Sequence, residues 1–316
     1  MKSESFFRHP IGMALSAVFA TFLWGSAFPV IKISYEYLDI RPNEIGEQIL
    51  FAGYRFFLSA IMIFIFYMLL GRKKEFVFQK KSIPSIMAIG ILVTFGQYLF
   101  FYIGLSGATG IQGSIISGTG SFFQIILAHL LLKNDSLSMT KVIGLVIGFL
   151  GVVVTYIPKG DVSFVVGYGE WFILIATIVA AYGNIVTKKA LQHHSVNYLT
   201  GYGMLFGSSM LLILGFILTD FTFFTFNVKE LAMLCYLSFL SAAGFLIWNN
   251  LMKYHGVGKV SLFMFLVPVF GVMLSGIFLN EAVGITALLG LVLVAAGIIV
   301  VNRGKTSNFE ESKESA

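Results

Sequence analysis

Uncharged polar and aromatic side chains recur in the middle of long apolar stretches of this chain. The candidates are Trp24, Ser26, Gln97, Tyr98, Tyr102, Gln124, Asn184 and Trp248. A polar group among apolar residues needs a hydrogen-bond partner, so each of them either bonds a neighbouring helix or lines a wet cavity. Amides orient a small solute, and aromatic rings supply apolar contact area. As a set, these residues predict a binding site for a small zwitterionic or ring-bearing substrate.

Acid–base, metal and nucleophilic chemistry have little support in the sequence. The carboxylates are scattered, and the neighbours His193 and His194 point to different faces of any helix. A single cysteine, Cys235, excludes an internal disulfide and a thiolate metal site. We therefore predict no metal, no cofactor and no enzymatic activity. The alternative is a polytopic membrane enzyme acting on a lipid-linked substrate, which would need a cluster of Asp, Glu or His at one interface.

Ten apolar stretches must position these side chains, and each has about the 20 residues that a helix needs to cross a bilayer. The predicted helices cover residues 11–33, 49–70, 83–104, 109–132, 140–157, 168–190, 197–218, 230–252, 257–279 and 283–301. The composition agrees, with 57% hydrophobic residues, 11% charged residues and a mean hydropathy of +0.89. These features predict an all-α integral membrane protein surrounded by the lipid bilayer. The polar segment 304–316 is predicted to be a disordered cytoplasmic tail.

Lys and Arg are distributed unequally between the two sets of loops. With the N-terminus inside, sixteen of the 21 cations fall on the inner side, and the outer five are Lys32, Arg41, Arg55, Lys159 and Lys229. Short loops rich in Lys and Arg resist translocation, so both termini are predicted to be cytoplasmic, in a bacterial inner membrane. Residues 1–10 would form a cytoplasmic N-terminal segment. This placement accounts for the net charge of +6 without nucleic acid, for which there is no support.

Two of the outer cations, Lys32 and Arg55, lie at similar depth in consecutive helices. Like charges at that depth repel each other unless an acid or a bound anion lies between them. We therefore predict an outer vestibule that attracts a carboxylate or a phosphate. Snorkelling to the head groups, or pairing with Glu44 or Glu47, is the alternative.

Two helices carry residues that weaken a helix. Pro29 removes the backbone hydrogen bond to Gly25, and Gly183 lies at a similar depth in the sixth helix. Kinked helices near the midplane expose backbone groups that bind polar ligands, so these residues are candidate hinges. Closer packing between helices is the alternative that the sequence leaves open.

The chain repeats itself at a shift of 146 residues. Matched pairs are Asn134 with Asn280, Asp135 with Glu281, Gly144 with Gly290, Gly151 with Gly297, and the aromatic residues Tyr102 with Trp248. We predict two five-helix repeats, residues 11–157 and 168–303. Because five is an odd number of crossings, the second repeat enters the membrane from the opposite side, which makes an inverted repeat. Asp135 and Glu281 are expected to cap the helices that follow them.

Several of these residues resemble the EamA-type branch of the drug/metabolite transporter superfamily. They are the segment Trp24-Gly25-Ser26-Ala27-Phe28, the later Lys32, the pair Arg55-Phe56 and the acidic residue before the last helix of each half. The likeness covers nearly the whole chain. The family often has a proline thirteen residues before that acidic residue; Pro268 fits in the second half and is a candidate hinge, whereas Phe122 replaces it in the first.

The resemblance implies a secondary transporter, usually an exporter of small metabolites, with a central cavity shared by both halves. We expect alternating access for a polar or amphipathic metabolite such as an amino acid. The substrate would lie between the first, third, fourth, sixth, eighth and ninth helices, with the fifth and tenth at the periphery. The expected partners are this substrate and the lipid bilayer, and a homodimer is left open.

Overall fold

The computed structural model describes residues 2–132, 138–155, 167–281 and 283–303, and within these ranges the regular structure is helical, without strands. A short helix, Lys2–Arg8, precedes the apolar helices. These are α1 Pro10–Tyr37, α2 Ile45–Leu69, α3 Lys80–Gly107, α4 Gly110–Leu131, α5 Met139–Thr155, α6 Tyr168–Ala190, α7 Val196–Leu218, α8 Val228–Tyr254, α9 Val257–Phe278 and α10 Ile285–Arg303. Their ends lie within four residues of the ends that the sequence predicted.

Eight of these helices are long and apolar enough to cross a membrane. The apolar parts of α5 and α10 are shorter, Met139–Gly151 and Leu288–Gly297, so ten crossings stay a prediction. Large hydrophobic side chains cover the outside of the bundle; Leu15, Phe66 and Ile213 are each more than half exposed. Such a surface suits hydrocarbon rather than water. The chain is therefore a multi-pass membrane protein.

Helix contacts keep their pattern when the two halves of the chain are exchanged. The exchange maps each helix onto the one five places along the chain. The contact of α3 with α6 then corresponds to that of α8 with α1, and the contact of α4 with α6 corresponds to that of α9 with α1; all four are present. Three further pairs, α2 with α7, α4 with α9 and α5 with α10, map onto themselves. A duplicated five-helix half would produce this pattern. Opposite insertion of the halves and the domain bounds 11–157 and 168–303 stay predictions.

Irregular backbone is confined to α3, α4 and α9 among the long helices that the structure describes. α3 is π-helical over Gly90–Gly96, and α4 is interrupted at Thr119. In α9 the segment Leu262–Phe265 is a 3-10 helix that lies just before Pro268. Proline lacks an N–H and its ring collides with the carbonyl four residues earlier, here that of Met264, which accounts for the local change.

By contrast, α1 runs without a break across Pro29, and α6 runs without a break across Gly183. The glycines serve close packing instead. A methyl group on Gly25 would lie 2.5 Å from Phe270 Cβ, and one on Gly183 would lie 2.7 Å from Val93 Cγ2. Hinge roles for these three residues and for Pro268 stay predictions.

Candidate functional site

A cavity of about 90 Å³ lies in the middle of the bundle, enough for several water molecules or a small solute. Its lining residues are Trp24, Ala27, Phe28, Arg55, Gln97, Tyr98, Phe101, Ser117, Gly120, Gln124, Ala176, Thr177, Ala180, Ala181, Asn184, Phe245, Met264 and Val267. They come from the six helices expected around the substrate and, through Arg55, from α2. None of these residues belongs to α5 or α10.

Five of the eight candidate binding residues line this cavity: Trp24, Gln97, Tyr98, Gln124 and Asn184. Two of them bond each other, since Asn184 Nδ2 donates to Gln124 Oε1 over 2.8 Å. The Gln124 Nε2 donor is buried and has no partner among the described residues. The amide pair therefore joins α4 to α6 and leaves a donor available at the cavity wall.

Ser26 and Trp248 lie outside the cavity wall. Ser26 Oγ hydrogen bonds to Tyr236 OH over 2.7 Å, which ties α1 to α8. Trp248 is fully buried behind Trp24, with 5.1 Å between the ring centroids. Their roles in the structure are helix–helix contact and support of a lining residue.

Several lining residues were not among the sequence candidates: Phe28, Phe101, Thr177, Phe245 and Met264. Helical spacing was the signal that could have found some of them. Thr177 lies seven residues before Asn184 and Phe101 four residues after Gln97, so each shares a helix face with a candidate. Phe245 lies three residues before the candidate Trp248 on α8, whereas Met264 has no such neighbour among the candidates.

Arg55 belongs to the central cavity and is 1% exposed. Its Nε donates to Ser241 Oγ over 2.8 Å and to the Leu237 carbonyl over 3.1 Å, both on α8. Its Nη1 donates to Tyr102 OH over 2.9 Å. Tyr102, a predicted binding residue on α3, is fully buried and does not line the cavity. Its hydrogen bond holds Arg55 in position instead. The guanidinium carbon lies 4.8 Å from the centre of the Phe56 ring.

Lys32 lies apart from the cavity that Arg55 lines. It is partly buried on α1, and its charge interacts with the carboxylates of Glu281 and Glu36. It is absent from the cavity lining, which includes Arg55. The two predicted outer cations therefore have different surroundings: Arg55 lines the central cavity, and Lys32, near the end of α1, does not.

Glu281 caps a different helix from the one expected. Its two carboxylate oxygens accept from the backbone N–H groups of Gly110 and Ile111, each over 2.9 Å, at the start of α4. The expectation that it caps the following helix, α10, is wrong. Asp135, its counterpart in the repeat, lies outside the described residues. Because Glu281 follows α9, this contact joins the second half of the chain to the first.

We call the end of the bundle where α1 begins the N-terminal end, and the opposite end the distal end. At the distal end α3 and α6 touch through their backbones, since a methyl group on Gly169 would lie 2.7 Å from the Gly104 carbonyl oxygen. There α4 also meets α9, where a methyl group on Gly110 would lie 2.6 Å from Ser275 Oγ. With the cap from Glu281, these contacts form the distal layer.

A second layer of contacts lies at the N-terminal end. Lys188 Nζ, on α6, donates to the His255 carbonyl over 3.0 Å, next to the start of α9. Beside it is an apolar cluster of α4, α6 and α9 that contains Ala128, Ile185 and Val257. The cavity residues lie along these helices between the two layers.

Removing either amide of the pair between α4 and α6 is expected to weaken the fold measurably. In a double-mutant cycle of Asn184→Ala and Gln124→Ala, we expect a coupling of about 0.6 to 1.7 kcal/mol, the range for polar contacts between membrane helices. Unfolding of the purified protein in mixed micelles measures it. The pair Ser26→Ala and Gln124→Ala shares no bond and should show none; equal coupling in both cycles would contradict the assignment.

Comparison with known proteins agrees with this architecture. The profile of the EamA-like transporter family matches residues 11–157 and 167–303. An uncharacterized transporter of Archaeoglobus fulgidus is 26% identical over 294 residues, 93% of this chain and 98% of that protein. A probable amino-acid metabolite efflux pump of Escherichia coli is 23% identical, covering 90% of this chain and 92% of that protein. A probable terminal-alkyne amino-acid exporter of Streptantibioticus cattleyicolor is 22% identical, covering 89% and 90%.

A solved crystal structure shares the fold, with a TM-score of 0.71 and 17% identity over 90% of this chain and 94% of that one. The family profile matches both halves and spans most of the chain. The chain therefore belongs to the EamA-like transporter family.

Proposed function

We propose that this protein is a secondary transporter that exports a small amphipathic metabolite, such as an amino acid, across the cell membrane by alternating access. The observation that carries the proposal is the central cavity, which both halves of the chain line and which lies between two layers of helix contacts. In an inverted-repeat carrier the binding site lies at the interface of the halves near the midplane.

Both contact layers involve α4, α6 and α9. The distal layer joins α4 to α9 and α3 to α6, and the layer at the N-terminal end joins α4 and α6 to the start of α9. Tilting these helices about their centres would separate one layer while the other stays closed. Such a movement exposes the cavity to one side at a time, which is what alternating access requires.

The chemistry of the lining favours an amphipathic solute. Aromatic rings of Trp24, Phe28, Tyr98, Phe101 and Phe245 supply apolar contact area. Amides and one guanidinium supply polar contacts. Two relatives are named as an amino-acid metabolite efflux pump and an amino-acid exporter, which supports the same class of substrate and the outward direction. Cytoplasmic termini remain part of the proposal, and a homodimer is left open.

Efflux from proteoliposomes tests the proposal. Vesicles containing the purified protein are loaded with the twenty amino acids, and release is followed by mass spectrometry against protein-free vesicles. We expect faster release of a subset of amino acids. No release of any of them would overturn the proposal for amino acids, and turnover of a lipid-linked substrate in detergent without solute flux would favour the enzyme.

A cavity-filling variant makes this test specific. Ala180→Phe places a ring in the cavity, so we expect release to fall at least about tenfold, equivalent to about 1.4 kcal/mol. Ile213→Phe is the matched control, because Ile213 on α7 is 61% exposed on the outside of the bundle. The protein with this substitution should release amino acids at the wild-type rate. Equal rates in the two variants would contradict transport through this cavity.

A further inference from the structure

We infer that Arg55 binds the carboxylate of the transported molecule, so that the substrates are small carboxylic acids with an apolar or aromatic body. The inference rests on the proposed transport function and concerns the same cavity. It moves the anion site that the sequence suggested from an outer vestibule to the centre of the protein.

The positive charge of Arg55 is buried and has no counter-ion among the described residues. The ion pairs among the described residues are Arg41 with Asp39 and Arg72 with Glu75, both outside the long helices. Among the residues that the structure describes, no Asp or Glu lines the cavity. Arginine keeps its charge in proteins, and a charge in a low-dielectric interior is unfavourable unless it is paired. An anionic ligand would supply the missing charge.

The guanidinium is held in one orientation with donors left over. Ser241 and Leu237 fix Nε from α8, and Tyr102 fixes Nη1 from α3. Phe56 covers the guanidinium from the side, 4.8 Å away. Nη2 makes no hydrogen bond with a described residue, and the side chain lines the cavity. A planar carboxylate matches such a fork with short, charge-assisted hydrogen bonds.

The rest of the lining complements a carboxylate with an apolar body. Donor groups of Gln124 and Ser117 are buried at the cavity wall without a partner in the described part of the chain, and they suit acceptor atoms of a ligand. The ring of Tyr98 lies 5.9 Å from the Arg55 guanidinium, so apolar contact begins directly beside the charge. A molecule whose carboxylate meets Arg55 would therefore lay its body against aromatic rings.

A purely structural role for Arg55 makes a different prediction. Its bonds to α8 and α3 would hold α2 in place whatever the solute, so loss of Arg55 would lower the stability and slow the transport of all solutes alike. A role in binding predicts that the protein discriminates acids from their neutralised analogues and that this discrimination depends on the guanidinium.

Paired substrates separate these roles. Proteoliposomes are loaded with L-leucine, L-phenylalanine and L-methionine together with the C-terminal amide of each, and the ratio of acid release to amide release is measured. For the wild-type protein we expect a ratio of about ten or more, the effect of hydrogen bonds to a charged group. Arg55→Lys keeps the charge without the fork and should reduce the ratio; Arg55→Gln should bring it close to one. Arg41→Gln, which removes an exposed arginine at the distal end, should leave it unchanged.

Each outcome decides a separate point. No release of any compound by the wild-type protein would overturn the proposed function and this inference with it. Release of amides as fast as acids by the wild-type protein, or an unchanged ratio in Arg55→Gln, would overturn only the assignment of Arg55. If Arg55→Gln fails to fold, the wild-type ratio and the ratio for Arg55→Lys still decide it.

Discussion

Gly169→Ala is expected to open the distal layer and to reduce transport at least about tenfold, because closing that layer is part of each cycle. The added methyl group would lie 2.7 Å from the Gly104 carbonyl oxygen and 2.7 Å from the Gly107 carbonyl carbon. Both atoms are backbone, so neither can rotate away, and α3 and α6 must move apart. Overpacking of this kind costs about 1 to 3 kcal/mol.

The opening is measured through a cysteine in the cavity wall. In a background of Cys235→Ser, which removes the single native cysteine, Ser117→Cys is labelled with a maleimide in nanodiscs. We expect Gly169→Ala to increase the labelling rate. Gly284→Ala, also at the distal end, is the matched control, because its methyl group would lie 3.5 Å from Thr286 Oγ1, an ordinary contact. A folded Gly169→Ala protein with unchanged labelling and transport would rule out the closed contact between α3 and α6 as a working part.

Glu281→Ala is expected to shift the protein toward a state that is open at the distal end. The carboxylate accepts two hydrogen bonds from the first turn of α4, and hydrogen bonds to charged groups contribute about 1.5 to 3 kcal/mol each. Loss of one such bond changes a two-state population by roughly tenfold or more. Glu281→Gln keeps one acceptor oxygen, so its shift should be intermediate.

The same cysteine reports this shift, and the order of labelling rates should be Glu281→Ala, Glu281→Gln, then wild type. Glu44→Gln is the control. The Glu44 carboxylate accepts a hydrogen bond from the backbone N–H of Arg41 over 2.6 Å, within the same loop, so this bond does not connect the two halves of the chain. Equal labelling rates in Glu281→Ala and wild type would show that the cap does not hold the distal layer closed.

Helix positions could be predicted closely from the sequence because lipid imposes a simple requirement. A helix must present about 20 apolar residues to cross the hydrocarbon, and that requirement holds whatever the helices pack against. Polar residues at mid-depth were expected to face inward for the same reason, and Gln97, Gln124 and Asn184 do so. Helical spacing alone could also have identified Thr177 as a residue that faces inward, because it lies seven residues before Asn184 on α6.

Contacts between distant segments could not be predicted in the same way. Ser26 and Gln97 are both polar and at mid-depth, yet one bonds Tyr236 and the other lines the cavity. The rotation of each helix about its axis decides which face it turns inward, and the neighbouring helices set that rotation through packing.

The sequence by itself determined that the chain is an apolar helical membrane protein with a set of buried polar groups, because length, hydropathy and residue type depend on each segment alone. Only the tertiary structure decided that Arg55 faces the cavity, that Lys32 does not, and that Glu281 caps α4. The bonds from Arg55 to Leu237 and from Gly110 to Glu281 join residues more than 100 positions apart. The energy of such a contact exists only once both segments are in place.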